Sequence, residues 1–183
     1  MNKSRLSLVV PAFNEASTIA TVLDRIFSFL PDVHEVLVID DGSTDCTLDV
    51  AYDYSLQQPR VQLFRHKTNK VKTAALRTGF AAATGSIVVI QDADLEYDPC
   101  EIPDLIAPIK EGIADVCLGS RFLVRRAGRV LYHRHFLANK FLTFLNNVLT
   151  DLNITDVETG YKACRTEIAK NMNIESSGFG FEV

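Results

Sequence analysis

Residues 87–99 read IVVIQDADLEYDP. The stretch opens on Ile87, Val88, Val89 and Ile90, a β-branched run suited to a strand buried on both faces. It closes on Asp92, Asp94, Glu96 and Asp98, four carboxylates within seven residues. Like charges this close repel, so a positive group belongs among them. Asp92 and Asp94 are two apart, and an extended segment puts such residues on one face. Just past a strand end, both can approach one hard cation. Mg2+ or Mn2+ prefers carboxylate oxygen and is usually shared with substrate phosphates, which makes a nucleotide diphosphate the natural second ligand. Alone, a D-x-D pair marks no more than a solvated loop at the end of a strand. Its meaning depends on its neighbours.

Working outward, short apolar runs alternate with longer amphipathic ones. Strands are expected at 6–13 (LSLVVPAF), 35–40 (EVLVID), 61–65 (VQLFR), 86–91 (SIVVIQ) and 114–120 (ADVCLGS). Helices are expected at 15–30, 43–57, 72–85 and 134–150, with a broken helical segment at 99–112. Asn14 and Ser43 are the expected N-caps of the first two helices, Gly85 closes the third, and Asp98 caps the fourth. Strand–helix alternation with near-continuous apolar strands means a parallel sheet covered on both faces. Ligands bind such sheets at the carboxyl ends of the strands. Three polar motifs fall at that edge: PAFNE after the first strand, DDGSTD after the second and DADLE after the fourth. In the second motif, Gly42 turns the chain. Asp40, low on a buried strand, is less easily explained as a turn residue and suits a contact to a base or ribose.

The 183 residues suit one domain with a sizeable core. A net charge of -4 gives no basic surplus for nucleic acid. Cys46, Cys100, Cys117 and Cys164 form no C-x-x-C pair, which fits a reducing compartment better than a disulfide framework or a zinc site. No run approaches 18 apolar residues, and the apolar start is too short for a secretion signal. The expected setting is cytoplasmic and peripheral to a membrane. Neither G-x-G-x-x-G nor G-x-x-x-x-G-K-[ST] is present, which argues against a nicotinamide dehydrogenase and a P-loop kinase. A dehalogenase-type phosphatase would carry its acidic loop after the first strand, as would a receiver domain.

VVPAFNE, VLVIDDGSTD, AALRTGF, IVVIQDADLEYDP, GSRF and TDVETGYKACR follow one another in the order and spacing of family 2 glycosyltransferases. The chain most resembles their dolichyl-phosphate mannose synthase-like branch, the polyprenyl-phosphate glycosyltransferases. The resemblance implies a single GT-A domain over 1–183, with a mostly parallel Rossmann-like sheet and helices on both faces. It implies a nucleotide-sugar donor of the GDP-mannose or UDP-glucose type and a divalent cation, Mg2+ or Mn2+. By resemblance, Pro11, Phe13 and Glu15 line the nucleotide pocket. Val38, Asp40 and Asp41 meet base or ribose, and Lys72, Asp92, Ala93 and Asp94 meet the diphosphate. Asp92 and Asp94, completed by Glu96, hold the metal. Arg121 faces the donor's phosphates or the acceptor phosphate, where its planar fork pairs bidentately.

The reaction so implied is inverting transfer of a hexose to a polyprenyl or dolichyl phosphate. Such an acceptor is already ionised. A sugar hydroxyl would instead need a general base, for which Asp156 is the candidate and Glu158 the second. The other reading of the two acids is a helix-capping loop. The basic run 121–135, with Arg125, Arg126 and Arg129, suits an anionic lipid head group and the membrane surface. His133 and His135 read as surface residues. The chain departs from the family in one loop: NKVKT carries Val71 and Thr73 where N-x-G-K-G is usual, and glycine there would let backbone approach a ligand. Relatives also continue beyond GFGFEV, so the expected domain is shortened at its carboxyl end and its acceptor side is incomplete. A form that binds nucleotide without turnover is the remaining alternative.

Overall fold

Four apolar runs pair side by side in parallel: β1 (Leu6–Ala12), β2 (Glu35–Asp40), β3 (Val61–Arg65) and β4 (Ile87–Ile90). The computed structural model describes residues 4–122 and 133–174. Between these strands run α1 (Ile19–Phe29), α2 (Thr47–Gln57) and α3 (Val71–Ala82). A 3-10 turn at Pro99–Glu101 leads into α4 (Ile102–Lys110), followed by β5 (Val116–Leu118), α5 (His133–Thr150), β6 (Lys162–Arg165) and α6 (Thr166–Asn171). The sheet order is β3-β2-β1-β4-β6-β5. β6 lies antiparallel between β4 and β5, with Val89 opposite Ala163 and Cys117 opposite the same residue. Neither β6 nor α6 is expected from the sequence pattern. KACR has too few apolar residues to announce a strand, and its place in the sheet comes from its neighbours.

Strand alternation divides the core. Leu8, Val10 and Ala12 of β1 face α1 and α4, meeting Ile19, Leu23, Ile26, Ile102 and Ile106. Val9, between them, faces the other side with Leu37, Ile39, Val88 and Ile90, beneath Leu76 and Phe80 of α3. Both faces are covered, as a parallel sheet requires. At the amino end of the sheet, Glu35 is buried yet satisfied. It accepts hydrogen bonds from Ser7 Oγ at 2.6 Å, Thr84 N at 2.6 Å and Gln62 Nε2 at 3.1 Å. Burial pushes its pKa up, but the bonds from Ser7 and Thr84 outweigh this and hold it below the usual value.

Three expected caps differ. Asn14 is not the cap of α1, which begins only at Ile19. It sits at φ +59, where its Oδ1 accepts from Thr44 N at 2.9 Å and its own N–H donates to Ser43 Oγ at 3.0 Å. Asn14 and Ser43 thus clasp the loops after β1 and β2 to each other, and both are drawn away from helix capping. α2 starts at Thr47, whose N–H donates to Asp45 Oδ1 at 3.0 Å. Gly85 lies beyond the end of α3 and has no left-handed φ. It is needed for closeness, because a Cβ there would stand 2.6 Å from the Arg5 carbonyl oxygen. Asp98 does cap its turn, accepting from Cys100 N at 3.1 Å.

Gly79 lets α3 lie close against β1, for a Cβ there would stand 2.3 Å from Val9 Cγ1. Gly79→Ala is expected to lower stability by about 1–2 kcal/mol, overpacking outweighing the better helix propensity of alanine. Urea unfolding monitored by circular dichroism reads this as a lower midpoint with an unchanged slope.

Candidate functional site

A cavity of about 440 Å3 opens at the carboxyl ends of β1, β2 and β4. β1 and the loop after it supply Pro11, Ala12, Phe13 and Glu15. The loop after β2 supplies Asp41, and the start of α3 with the residues before it supplies Asn69, Val71, Lys72 and Ala75. The loop after β4 supplies Asp92, Ala93 and Asp94. Eight of the residues anticipated for nucleotide and diphosphate therefore converge on one hollow: Pro11, Phe13, Glu15, Asp41, Lys72, Asp92, Ala93 and Asp94.

Val38 and Asp40 are not among them. Val38 is fully buried in the core beneath α1. Asp40 is also fully buried; its Oδ1 accepts from Ser43 N at 3.2 Å, and its Oδ2 makes no hydrogen bond and stands 3.7 Å from Arg65 Nε. Asp40 is the last residue of the strand, still within its pleat, and the cavity begins one residue later. Asp41 is held in place by its environment. Its carboxylate lies 2.6 Å from His66 Nδ1 and accepts the Lys70 N–H at 3.1 Å on both oxygens. Gly42 beside it, at φ +74, leaves no room for a side chain: a Cβ would meet Asn69 N at 2.7 Å.

The acidic stretch divides its charge. Lys72 Nζ sits 2.6 Å from Asp92 Oδ1, tying the first turn of α3 to the end of β4. Asp98 pairs with Arg25 on the far side. Asp94 Oδ1 accepts from Glu96 N at 2.9 Å, while the exposed Glu96 side chain does not line the cavity. Among the described residues no group of three or more His, Cys, Asp or Glu forms a ready metal cage. The expectation that Glu96 completes a three-acid set is not met. Two carboxylates at the rim of an open hollow are nonetheless a donor set that Mg2+ or Mn2+ accepts when phosphate oxygens and water fill the remaining positions.

The wall beside Asp92 comes from the TGY of TDVETGYKACR, residues 159–161, to which the sequence reading gave no site role. A Cβ on Gly160 would lie 2.8 Å from Asp92 Oδ2 and 2.6 Å from the Tyr97 ring. The Gly160 N–H donates to Tyr97 Oη at 2.7 Å, Tyr97 packs on Tyr161 at 4.7 Å between ring centres, and Tyr161 Oη donates to the buried Gln91 at 2.9 Å. The order of TGY after the acidic stretch was visible in the sequence, but its approach depends on β6.

Arg121 and Asp156 do not line the cavity, yet they meet each other. Arg121 donates through Nε at 2.8 Å and Nη2 at 2.9 Å to the two oxygens of Asp156, and its backbone N–H adds a third bond at 3.0 Å. Asn139 Nδ2 donates to Asp156 Oδ1 at 2.8 Å. Burial raises the Asp156 pKa, but the bonds from Arg121 and Asn139 more than offset it, leaving the carboxyl below its usual range. Its own hydrogen bonds to Asp156 push the Arg121 pKa up, against the effect of burial. A carboxylate so held is a weaker base than a free aspartate, and both its oxygens are engaged by Arg121 and Asn139. The basic residues Arg125, Arg126 and Arg129, the side chain of His133 and the final GFGFEV lie outside the described residues.

Residues 7–172 match the family described as Glycosyl transferase family 2, and the chain belongs to that family. Its mostly parallel six-stranded sheet with helices on both faces is that of a GT-A fold. The chain is 30% identical over 180 residues to the dolichol-phosphate mannosyltransferase of Pyrococcus furiosus, an alignment covering 96% of this chain and 50% of that protein. It is 28% identical to the polyprenol monophosphomannose synthase of Mycolicibacterium smegmatis, covering 98% and 69% respectively. Among solved structures it is similar to glucosyl-3-phosphoglycerate synthase from Mycobacterium tuberculosis in complex with Mn2+, UDP-glucose and phosphoglyceric acid. There the TM-score is 0.75 at 26% identity, over 98% of this chain and 63% of that one. The chain thus spans about half to two-thirds of the length of these relatives.

Val71 carries φ +67, a conformation in which a β-branched side chain is strained by about 1–3 kcal/mol. The backbone keeps the shape that glycine would take there, with the Val71 N–H donating to Asn69 Oδ1 at 2.9 Å. Val71→Gly is expected to raise stability by about 1 kcal/mol, the released strain exceeding the added unfolded-state entropy. Calorimetric melting checks it. For Asp156→Asn the expectation is a loss of about 2 kcal/mol at pH 7, where Arg121 is left without its carboxylate. Because the folded pKa of Asp156 is lowered, the pair's contribution is complete above the ordinary carboxylate range and is lost as pH falls through the folded value. The gap between the two proteins should therefore close on acidification in a pH series of unfolding midpoints.

Proposed function

We propose that this chain transfers a hexose, with inversion, from a nucleotide-diphosphate sugar to a polyprenyl phosphate. The observation that carries the reading is the convergence of Glu15, Asp41, Lys72, Asp92 and Asp94 on one cavity at the carboxyl edge of the sheet. In this reading the base and ribose lie against Pro11, Phe13, Glu15 and Asp41, and the diphosphate lies toward Lys72, Ala93 and Asp94. The relatives named for transfer to dolichol or polyprenol phosphate support the acceptor class.

Asp92 and Asp94 are the residues to hold Mg2+ or Mn2+. When bound, the cation supplies neutralisation of charge on the departing diphosphate. Lys72, already against Asp92, places a second positive charge at the same end of the cavity. Arg121, fixed in orientation by its two hydrogen bonds to Asp156, presents a planar cation to phosphate oxygens beyond Tyr97. A phosphate acceptor is ionised at neutral pH and attacks without a base. That agrees with an Asp156 whose oxygens are taken by the Arg121 fork and the Asn139 amide and whose pKa they lower. A sugar-hydroxyl acceptor has no such agreement.

Calorimetric titration with UDP and with GDP, each with and without Mn2+, tests the donor half of this reading. The expected result is cation-dependent binding of one nucleotide, weakened at least tenfold in Asp94→Asn. Binding of neither nucleotide, in a protein whose circular dichroism shows it folded, would overturn the reading.

A further inference from the structure

His66 does not line the cavity, yet it touches a residue that does. It follows β3, and its backbone N–H donates to the Asp40 carbonyl at 2.8 Å, carrying the β2–β3 pairing one residue past the strand. That step sets its ring against Asp41, with Nδ1 2.6 Å from Oδ1. A carboxylate only accepts, so Nδ1 carries the proton of this bond. The other ring nitrogen, Nε2, lies 2.9 Å from Thr78 Oγ1, and the Thr78 hydroxyl is itself anchored by donating to the Ala74 carbonyl at 3.1 Å. α3 thus grips the far end of the ring and stops it from turning over. The His66 side chain is 11% exposed and that of Asp41 4%, so water has little access to the contact.

Hydrogen-bond arithmetic at Asp41 then limits what the cavity offers a ligand. A carboxylate has about four acceptor positions, two on each oxygen. Oδ1 takes His66 Nδ1 and a share of the Lys70 N–H, and Oδ2 takes the other share. Oδ1 is filled, and one position on Oδ2 is left. A base lying against Asp41 therefore meets one acceptor, not a pair. The pairing edge of guanine carries two adjacent donors, N1–H and the exocyclic amine. One of them would face a filled oxygen with little water to satisfy it, which is costly. Cytosine presents an unprotonated ring nitrogen, which a carboxylate repels. Uracil presents a single N3–H between two carbonyls, and one acceptor satisfies it. Without His66, Oδ1 would be open and the carboxylate could take guanine through both oxygens.

We propose that His66, locked by Thr78, is a positioning residue that fills one oxygen of Asp41 and so fits the donor site to uracil rather than guanine. The inference rests on the proposed function, since it takes the base to lie against Asp41. It narrows the donor from a nucleotide-diphosphate sugar to a uridine-diphosphate sugar.

The experiment is calorimetric titration of the whole chain, in the presence of Mn2+, with UDP, with GDP and with inorganic pyrophosphate. Wild type is compared with His66→Phe, which keeps a ring but has no donor, and with His66→Asn, whose amide can donate where Nδ1 does. The melting temperature of each protein is recorded beside the titrations. Wild type is expected to bind UDP about tenfold more tightly than GDP. His66→Phe is expected to weaken UDP about tenfold, to narrow the preference for UDP over GDP and to leave pyrophosphate within about twofold. His66→Asn is expected to recover most of the lost UDP affinity and of the preference. A wild type that binds GDP as tightly as UDP would overturn the inference while leaving the donor site standing. UDP binding unchanged in His66→Phe, or lost there in step with pyrophosphate, would also overturn it. So would a His66→Asn protein that melts like wild type and binds UDP no better than His66→Phe. Binding of neither nucleotide by folded wild type would overturn this inference and the donor reading together.

Discussion

The buried carboxylate of Asp156 organises the second half of the chain. It takes the Arg121 fork, the Arg121 backbone N–H and the Asn139 amide, and so joins the segment after β5, the helix α5 and the loop before β6 at one point. A buried charge without partners is too costly to keep. The three segments must therefore arrive together, and the short β5 and β6 are placed by this meeting as much as by their own ladders. The loop that Asp156 anchors then delivers Gly160 to the side of Asp92. Tyr161 and Ala163 of this half pack into the core beneath α1 and α4, and Cys164 and Ala169 into the core beneath α3.

In the first half the corresponding device is the Lys72–Asp92 pair. Its Nζ–Oδ1 distance of 2.6 Å links the helix that follows β3 to the strand end that follows it in the chain. With Arg25 on Asp98, the acidic stretch is partly neutralised before any ligand enters. What is left at the cavity rim is Asp94, with one oxygen engaged by the Glu96 N–H. The preorganised site thus resembles a socket with one cation of its own and room for another.

The sequence was legible where chemistry and pleat agree. The run Ile87–Ile90 and the acids after it announced a strand end at a binding edge, and the cavity lies there. Asp41 rather than Asp40 enters it because strand geometry persists for one residue more than the motif suggests. Asn14 and Ser43 looked like helix caps because those residue types cap helices. In three dimensions each had a nearer partner across the loop gap. β6 was illegible for a different reason: its four residues KACR gain their conformation from pairing with β4 and β5, a long-range cause that leaves little periodic trace. Asp156 looked like a base because a carboxylate in a loop near the site has that capacity, and only the folded chain shows that both its oxygens are engaged by Arg121 and Asn139.

The position of β6 in the sheet also orders events in time. β5 is made early, yet its pairing partner is β6, which leaves the ribosome more than 40 residues later. The strands β1 to β4 pair among themselves and can assemble as they emerge, carrying Asp92 and Asp94 with them. β5 must wait beside them with its edge open, and the loop bearing Gly160 closes the cavity last. A nascent chain interrupted before residue 162 would therefore display a finished acidic rim and an unfinished wall, a vulnerable species in which the long-separated pairing still has to be found.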